Sequence, residues 1–371
     1  MRWRLRAVHR LTIVSTTVAD RVTVGGWVGS TNLGDELLFR ILSDLLGARG
    51  VTVGGPSLDP AGTMAVHGTE AHGHLNPSAL RHNLVASDAF VFGPGGLLQD
   101  ETGIWNLPYH LRRIRASRRA GLPWAGIGLG ADGLTTNRGR SQVRRTLVGH
   151  TAIAVRDEAS ADALKALGVE RIVRTADLAF LAEVPQVSGD GVLGVCLRAP
   201  QSWRFRPGAL DHAHRWPDGR ADAMATALDE TARATGLTVR FLAFDARSDG
   251  VVHRQVAERM ATAAEVVEPE LDGLVAALAR VDAMATMRYH GAVLAALGGA
   301  GVVALPFSPK LRSIADDLGP GATVLDDAAT GLPAAVAGVL GQRHHLPDAV
   351  ERLRILAGRN VDVLDDLLGA S

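Results

Sequence analysis

Arg288 and His290 interrupt an apolar run, "TMRYHGAVLAAL" at 286–297, that would otherwise be buried throughout. Burying either side chain is costly unless a partner meets it. The pair therefore marks a strand end and helix start where polar groups face a cleft, or else an anion site. Two more cations follow apolar strands: Arg198 in "GVCLRAPQSWRFRP" (194–207) and Lys310 in "LPFSPKLRS". Lys310 is informative because only Lys165 and Lys310 among the 39 basic residues are lysines, and Lys165 lies on an ordinary helix surface. In open α/β sheets ligands sit outside the carboxyl ends of the strands, where Arg198, Arg288, His290 and Lys310 would converge. Three fixed cations and a titratable imidazole suit a small, multiply charged anion.

Two glycine-rich turns in the first half offer polar groups of a different kind. "GGWVGSTNLGDELL" (25–38) places Asn32, Gly34 and Asp35 between a strand and a helix. Free N–H groups at such a helix start suit anions or polar ligands, yet the sequence is neither a P-loop nor a dinucleotide fingerprint. Asp35 and Glu36 can equally well do no more than stabilise the helix start. "FGPGGLLQDETG" (92–103) repeats the theme with Gln99, Asp100 and Glu101, either a carboxylate beside a ligand or a polar loop over a sheet edge. After Arg198, the loop with Trp203, Arg204, Phe205 and Arg206 has the aromatic and guanidinium groups of a sugar- or phosphate-binding loop, and equally of an interdomain contact. His67, His72, His74 and His82 cluster without a cysteine, and the segment reads as a solvated loop with no metal.

The elements that must position these residues alternate. Strands are expected at 22–26, 89–93, 124–130, 151–155, 191–197, 239–244, 281–286 and 301–306. Helical stripes lie between them, such as Leu37, Leu38, Ile41, Leu42, Leu45 and Leu46. That alternation predicts an α/β protein with parallel sheets. The chain of 371 residues is long enough for two domains, and "AEVPQVSGDG" (182–191) is the best boundary. A final helical pattern, 346–369, can pack on either half.

Thirty-nine basic residues balance 39 acidic ones, leaving no general field for nucleic acid or membrane. Cys196 is alone, so an intramolecular disulfide framework is excluded. The N-terminal stretch lacks the clean apolar core of a signal peptide, and no run of 18 apolar residues occurs. The expectation is a cytoplasmic protein.

At these residues the sequence resembles the polysaccharide pyruvyl transferase family, especially its bacterial cell-wall polymer branch. "GSTNLGDELL" is similar to the family's N-x-G-D-E start and "GPGGLLQDET" to its glycine turn before Q-D. "AVRDEASADALKALGV" and "TADLAF" resemble its R-D-x-x-S and A-D-x-A-F elements, and "MRYHGAVLAALGGAGVVALPFSPKLRSIADDLG" its most recognisable block. "GLPWAGIGLGADGL" follows the G-x-G-I-G-P stretch but replaces the later glycine–proline.

The resemblance implies two Rossmann-like domains facing across a cleft, GT-B-like: 1–186 on the acceptor side, 187–345 on the donor side, and a helix at 346–371. It implies phosphoenolpyruvate as donor, without cofactor or metal, and a glycan or lipid-linked sugar diol as acceptor, forming a pyruvate ketal. That acceptor would bring the protein into peripheral contact with the inner face of the membrane. Arg198, Arg288 and Lys310 would bind the donor and His290 would protonate it. Asp35 or Asp100 would take a hydroxyl proton, and Asn32, Gly34, Gln99 and Trp203 would meet the acceptor. The rival of the same architecture is a nucleotide-sugar glycosyltransferase; a non-catalytic partner in polymer export is the reading from another class.

Overall fold

The computed structural model describes residues 19–101, 103, 105–149, 152–186, 189–199, 215–278, 280–305, 309–327 and 330–369. The chain divides into two compact units, one of residues 19–30, 35–182 and 353–369, the other of residues 31–34 and 183–352. We call them the N-terminal and C-terminal units.

The N-terminal unit holds strands β1 (Arg21–Gly25), β2 (Thr52–Ser57), β3 (Glu70–Gly73), β4 (Ala89–Phe92), β5 (Trp124–Leu129), β6 (Ile153–Val155) and β7 (Ile172–Arg174). They form one parallel sheet in the order β3-β2-β1-β4-β5-β6-β7. Helices α1 (Leu33–Gly47), α2 (Pro60–His67), α3 (Pro77–Val85), α4 (Asn106–Arg119), α5 (Asn137–Leu147) and α6 (Glu158–Lys165) alternate with them. The C-terminal unit repeats the plan with β8 (Val192–Cys196), β9 (Thr238–Leu242), β10 (Ala264–Val267), β11 (Val281–Thr286), β12 (Gly301–Ala304) and β13 (Ala322–Val324), ordered β10-β9-β8-β11-β12-β13. Its helices are α7 (Asp218–Thr235), α8 (Asp249–Ala257), α9 (Leu274–Leu278), α10 (Tyr289–Leu297), α11 (Pro309–Leu318) and α12 (Leu332–Gln342), and α13 (Leu346–Leu368) ends the chain. Both sheets are doubly wound, with the strand order reversing between β1 and β4 and between β8 and β11, where such folds bind ligands.

The parallel α/β plan read from the alternation is therefore what the protein adopts. Strands covered on both faces are apolar throughout, as β4 and β11 are, every residue buried. β3, β7, β10 and β13, none of them expected, are the four edge strands, and each keeps partly exposed residues. An edge strand does not need two apolar faces, so its sequence carries a weak signal. The fifth unexpected strand, β2, hides its pattern behind Gly54, Gly55 and Pro56.

The histidine-rich segment is not the solvated loop it reads as. His67 ends α2, His72 lies in β3 and His82 in α3. Among the described residues no group of three His, Cys, Asp or Glu side chains could hold a metal, and no helix is long and apolar enough to cross a membrane.

α13 is shared: residues up to 352 belong to the C-terminal unit and those from 353 to the N-terminal one. Asn360 fastens the second part. Its Oδ1 accepts from the Gly128 amide (2.9 Å) and Thr175 Oγ1 (3.2 Å), while Nδ2 donates to the carbonyls of Ala176 (2.9 Å) and Ala357 (3.0 Å). Asn360→Leu keeps the volume but strands the Gly128 N–H and the Ala176 carbonyl in the interior. The urea midpoint should fall by the equivalent of about 2–4 kcal/mol, whereas Asp362→Leu, on the exposed side of the same helix, should leave it nearly unchanged.

Candidate active site

The C-terminal unit assembles its polar residues where its strands end. Cys196 pairs with Thr286 and Thr286 with Ala304, so β8, β11 and β12 end in step. The Met287 amide donates to the Cys196 carbonyl (2.8 Å) and the Arg198 amide meets Met287 Sδ (3.4 Å). Arg198 and Arg288 thus flank the point where the strand order reverses. Arg288 caps α10, with its amide bonded to Thr286 Oγ1 (2.9 Å), and His290 sits in that helix's first turn, buried edge-on to Tyr289. Lys310 is the second residue of α11, half-buried, one connection beyond β12.

The Asn32–Gly34 turn belongs with this set rather than with the N-terminal unit, contrary to its expected place on the first domain's side. Asn32 Oδ1 accepts from the Gly34 amide (3.1 Å), Leu33 N–H donates to the Phe244 carbonyl (2.7 Å), and Thr31 Oγ1 donates to Asp245 (2.9 Å). A Cβ on Gly34 would fall 2.1 Å from His290 Nδ1, so only glycine lets the turn lie against the imidazole.

Arg288, expected among the donor-binding residues, has its fork on Asp249: Nε donates to Oδ2 (3.0 Å) and Nη2 to Oδ1. Asp249 is fully buried and also accepts the amides of Phe244 (3.1 Å) and Asp245 (3.0 Å). Burial opposes the Arg288 charge, but Asp249 outweighs it and the guanidinium pKa is raised. Arg288 is an organiser of the 244–249 segment. The neighbouring Cys196 thiol is driven far up by burial, then by Asp249, and stays unreactive.

Asp100, one of the two carboxylates expected to take a hydroxyl proton, is bonded to Thr135 and Thr136. Oδ1 accepts from the Thr135 amide (2.8 Å) and hydroxyl (2.7 Å), and Oδ2 from the Thr136 amide (3.2 Å) and hydroxyl (2.5 Å). Burial would raise its pKa, but these four donors, led by Thr136, lower it. A carboxylate so saturated is a latch on the turn before α5 and a poor base. Asp35 is half-buried in the first turn of α1, and a Cβ on Gly95 would come within 3.7 Å of its Oδ1, which places it beside the second glycine turn. Gln99 holds that turn through its backbone carbonyl, which accepts from Asn106 (2.9 Å). Trp203 lies outside the described residues.

Several residues that build the site carry no recognisable signal in sequence. Asp245 and Asp249 follow β9 in "AFDARSDG", an ordinary polar turn by pattern. Trp216 donates its indole N–H to the Arg198 carbonyl (3.0 Å), and Gln255 holds the Trp216 backbone at both its N–H and carbonyl. In the N-terminal unit Arg156 is buried between Asp157 (3.4 Å) and Asp177 (3.2 Å), and a Cβ on Gly130 would stand 2.9 Å from its Nη2. The R-D-x-x-S and A-D-x-A-F elements thus meet as one ion-pair network under the glycine turn. Glu36, also buried, reaches the Ser30 amide (2.9 Å) and His67 Nε2 (2.9 Å).

Two doubly wound parallel sheets, one per unit, define a GT-B-like α/β protein, and solved structures bear this out. A putative UDP-N-acetylglucosamine 2-epimerase from Listeria monocytogenes matches over 95% of this chain and 97% of its own, with TM-score 0.64 and 10% identity. HepE from Anabaena in complex with UDP-glucose matches over 95% and 98% (TM-score 0.58, 11% identity), and Acinetobacter baumannii MurG over 94% and 99% (TM-score 0.51, 11% identity). No curated protein sequence matches significantly. The sequence profile of the polysaccharide pyruvyl transferase family matches residues 32–309, three quarters of the chain, and the chain belongs to that family.

Two outcomes follow from this geometry. Gly34→Ala must displace the imidazole, so the His290 ring resonances should shift and turnover drop by about a hundredfold, while Gly47→Ala, where a Cβ meets nothing, should change neither. His110 and His253, one in each unit, are held neutral, burial and then nearby arginine charge lowering each pKa from 6.5 to about 3. The unfolded chain binds more protons in that window, so stability is complete above pH 6.5 and drains as pH falls towards 3. Each imidazole should cost about 1.4 kcal/mol per pH unit there, read from urea midpoints at pH 7, 6 and 5.

Proposed function

We propose that the protein transfers the pyruvyl group of phosphoenolpyruvate to two hydroxyls of a sugar in a polysaccharide or glycan precursor, forming a cyclic ketal and releasing phosphate. The observation that carries this reading is the set Arg198, His290 and Lys310 at the strand ends of a chain in this family, with the imidazole seated against Gly34. Phosphoenolpyruvate packs a carboxylate and a phosphate onto three carbons, and such a ligand needs cations placed close together.

In this mechanism His290 gives a proton to the methylene carbon, making the central carbon electrophilic. A sugar hydroxyl attacks that carbon and loses its proton. The bond to phosphate then breaks, with Arg198 and Lys310 stabilising the departing charge. The second hydroxyl closes the ring and loses its proton in turn. Of the two hydroxyl protons, one restores His290 and the other leaves on phosphate, so the balance closes. Asp35, next along the chain from Gly34, is the carboxylate we assign to accept a hydroxyl proton, because its neighbour lies against the imidazole. Arg288 contributes by holding the 244–249 segment that anchors the Asn32–Gly34 turn. Asn32, Gln99 and Trp203 remain the proposed acceptor contacts. The reaction as written needs no cofactor or metal.

The test couples donor affinity by calorimetry to phosphate release with a panel of galactosides, mannosides and N-acetylhexosamines. His290→Gln should keep most donor affinity while turnover falls by roughly two to four orders of magnitude. Lys310→Met should weaken donor binding first. If UDP-glucose raises the unfolding temperature and phosphoenolpyruvate does not, the reading is wrong and a nucleotide-sugar transferase takes its place.

A further inference from the structure

Arg113 in α4 is a buried charge without a counter-charge. Its side chain is 1% exposed, and neither Nη1 nor Nη2 has a hydrogen-bond partner. Among the described residues no carboxylate pairs with it. The other two buried arginines discussed above are built differently: Arg288 faces Asp249, and Arg156 faces Asp157 and Asp177. Tyr109 meets the Arg113 guanidinium with its ring, 3.7 Å from centroid to Cζ, which offsets little of the lost hydration of several N–H groups.

More orphaned polar atoms surround it. His110 is equally buried and its Nδ1 has no partner, and neither does the buried Nε2 of His72. His74 reaches the Tyr109 hydroxyl through Nδ1 (3.1 Å). Burial and the Arg113 charge both lower the pKa of His72, His74 and His110, so all three serve as neutral hydrogen-bonding groups. Trp27 closes the cluster edge-on to Tyr109 and His110. Trp27 lies two residues beyond β1, His74 just beyond β3, and α4 follows β4, so the cluster stands at the carboxyl end of the sheet beside its reversal point. His74 and Tyr109 are half-exposed, giving a way in. A fixed guanidinium rejects a cation, so the missing partner is an oxyanion.

We propose that Arg113, His72, His74 and His110, with the ring faces of Tyr109 and Trp27, form an oxyanion subsite that takes a phosphate or carboxylate group carried by the acceptor. Assigning that anion to the acceptor rests on the pyruvyl-transfer reading; the anion site itself does not.

The test is a histidine footprint on the full chain. Ethoxyformylation of His74 and His72 is read by mass spectrometry with inorganic phosphate, D-glucuronate or neutral D-glucose in excess, in the wild type and in Arg113→Met. Exposed His82 is the internal control. The expected result is protection of His74 and His72 by an anion, roughly tenfold or more weaker in Arg113→Met, with His82 unaffected. Protection by phosphate alone assigns a phosphate-linked acceptor, and protection by glucuronate an acidic glycan. Equal protection by glucose, no protection, or anion protection unchanged in Arg113→Met each overturns the subsite and means that water alone fills the cluster. Should Arg113→Met fail to fold, the wild-type contrast between anions and glucose at His74 against His82 decides alone. Phosphate release from phosphoenolpyruvate is a separate readout, so the two proposals fail separately.

Discussion

The buried pair of Arg288 and Asp249 is the interaction on which the C-terminal unit's polar geometry depends. A carboxylate with no exposed surface must be matched by charge and by donors, and Asp249 receives both: two from Arg288 and two from the amides of Phe244 and Asp245. That fixes the segment after β9. Its Phe244 carbonyl and Asp245 carboxylate then hold Leu33 and Thr31, which brings Gly34 against His290. One ion pair therefore sets the position of an imidazole with which it shares no hydrogen bond. Removing one partner would leave the other charged and buried, so the pair is costly to break even if its net worth is small.

The N-terminal unit follows the same rule with Arg156 and its two aspartates. Its sheet ends in glycine turns, and the chain can pass close over a buried guanidinium at Gly130 because that residue has no side chain. Asp100 is the visible polar group above this layer, yet four donors from Thr135 and Thr136 claim it. Its place beside a glycine turn suggested catalysis from sequence; its neighbours thirty-five residues further on make it part of the scaffold.

The sequence reveals what depends on local order. Apolar runs buried on two faces announced β4, β5, β8, β11 and β12, and the leucine stripe announced α1. Edge strands stayed hidden because partial exposure removes the need for such runs. The histidine segment misled because solvent exposure was inferred from residue type, whereas His67 lies buried against Glu36 and Phe39. That Arg288 faces an aspartate was likewise illegible: it sits 39 residues from Asp249, and nothing in either stretch points to the other. The charge pattern marked where the polar groups gather but not how they divide.

The division of α13 between the units has a consequence for the order in which the molecule can be completed during synthesis. Nearly all of the N-terminal unit emerges first, yet the Gly128 amide and the Ala176 carbonyl wait for Asn360, and Arg49 waits for Asp365. The whole C-terminal unit is translated in between, which takes on the order of ten seconds. Through that interval the first sheet carries polar groups that only the later helix meets. The unit that begins first is therefore finished last, by the closing turns of the same chain.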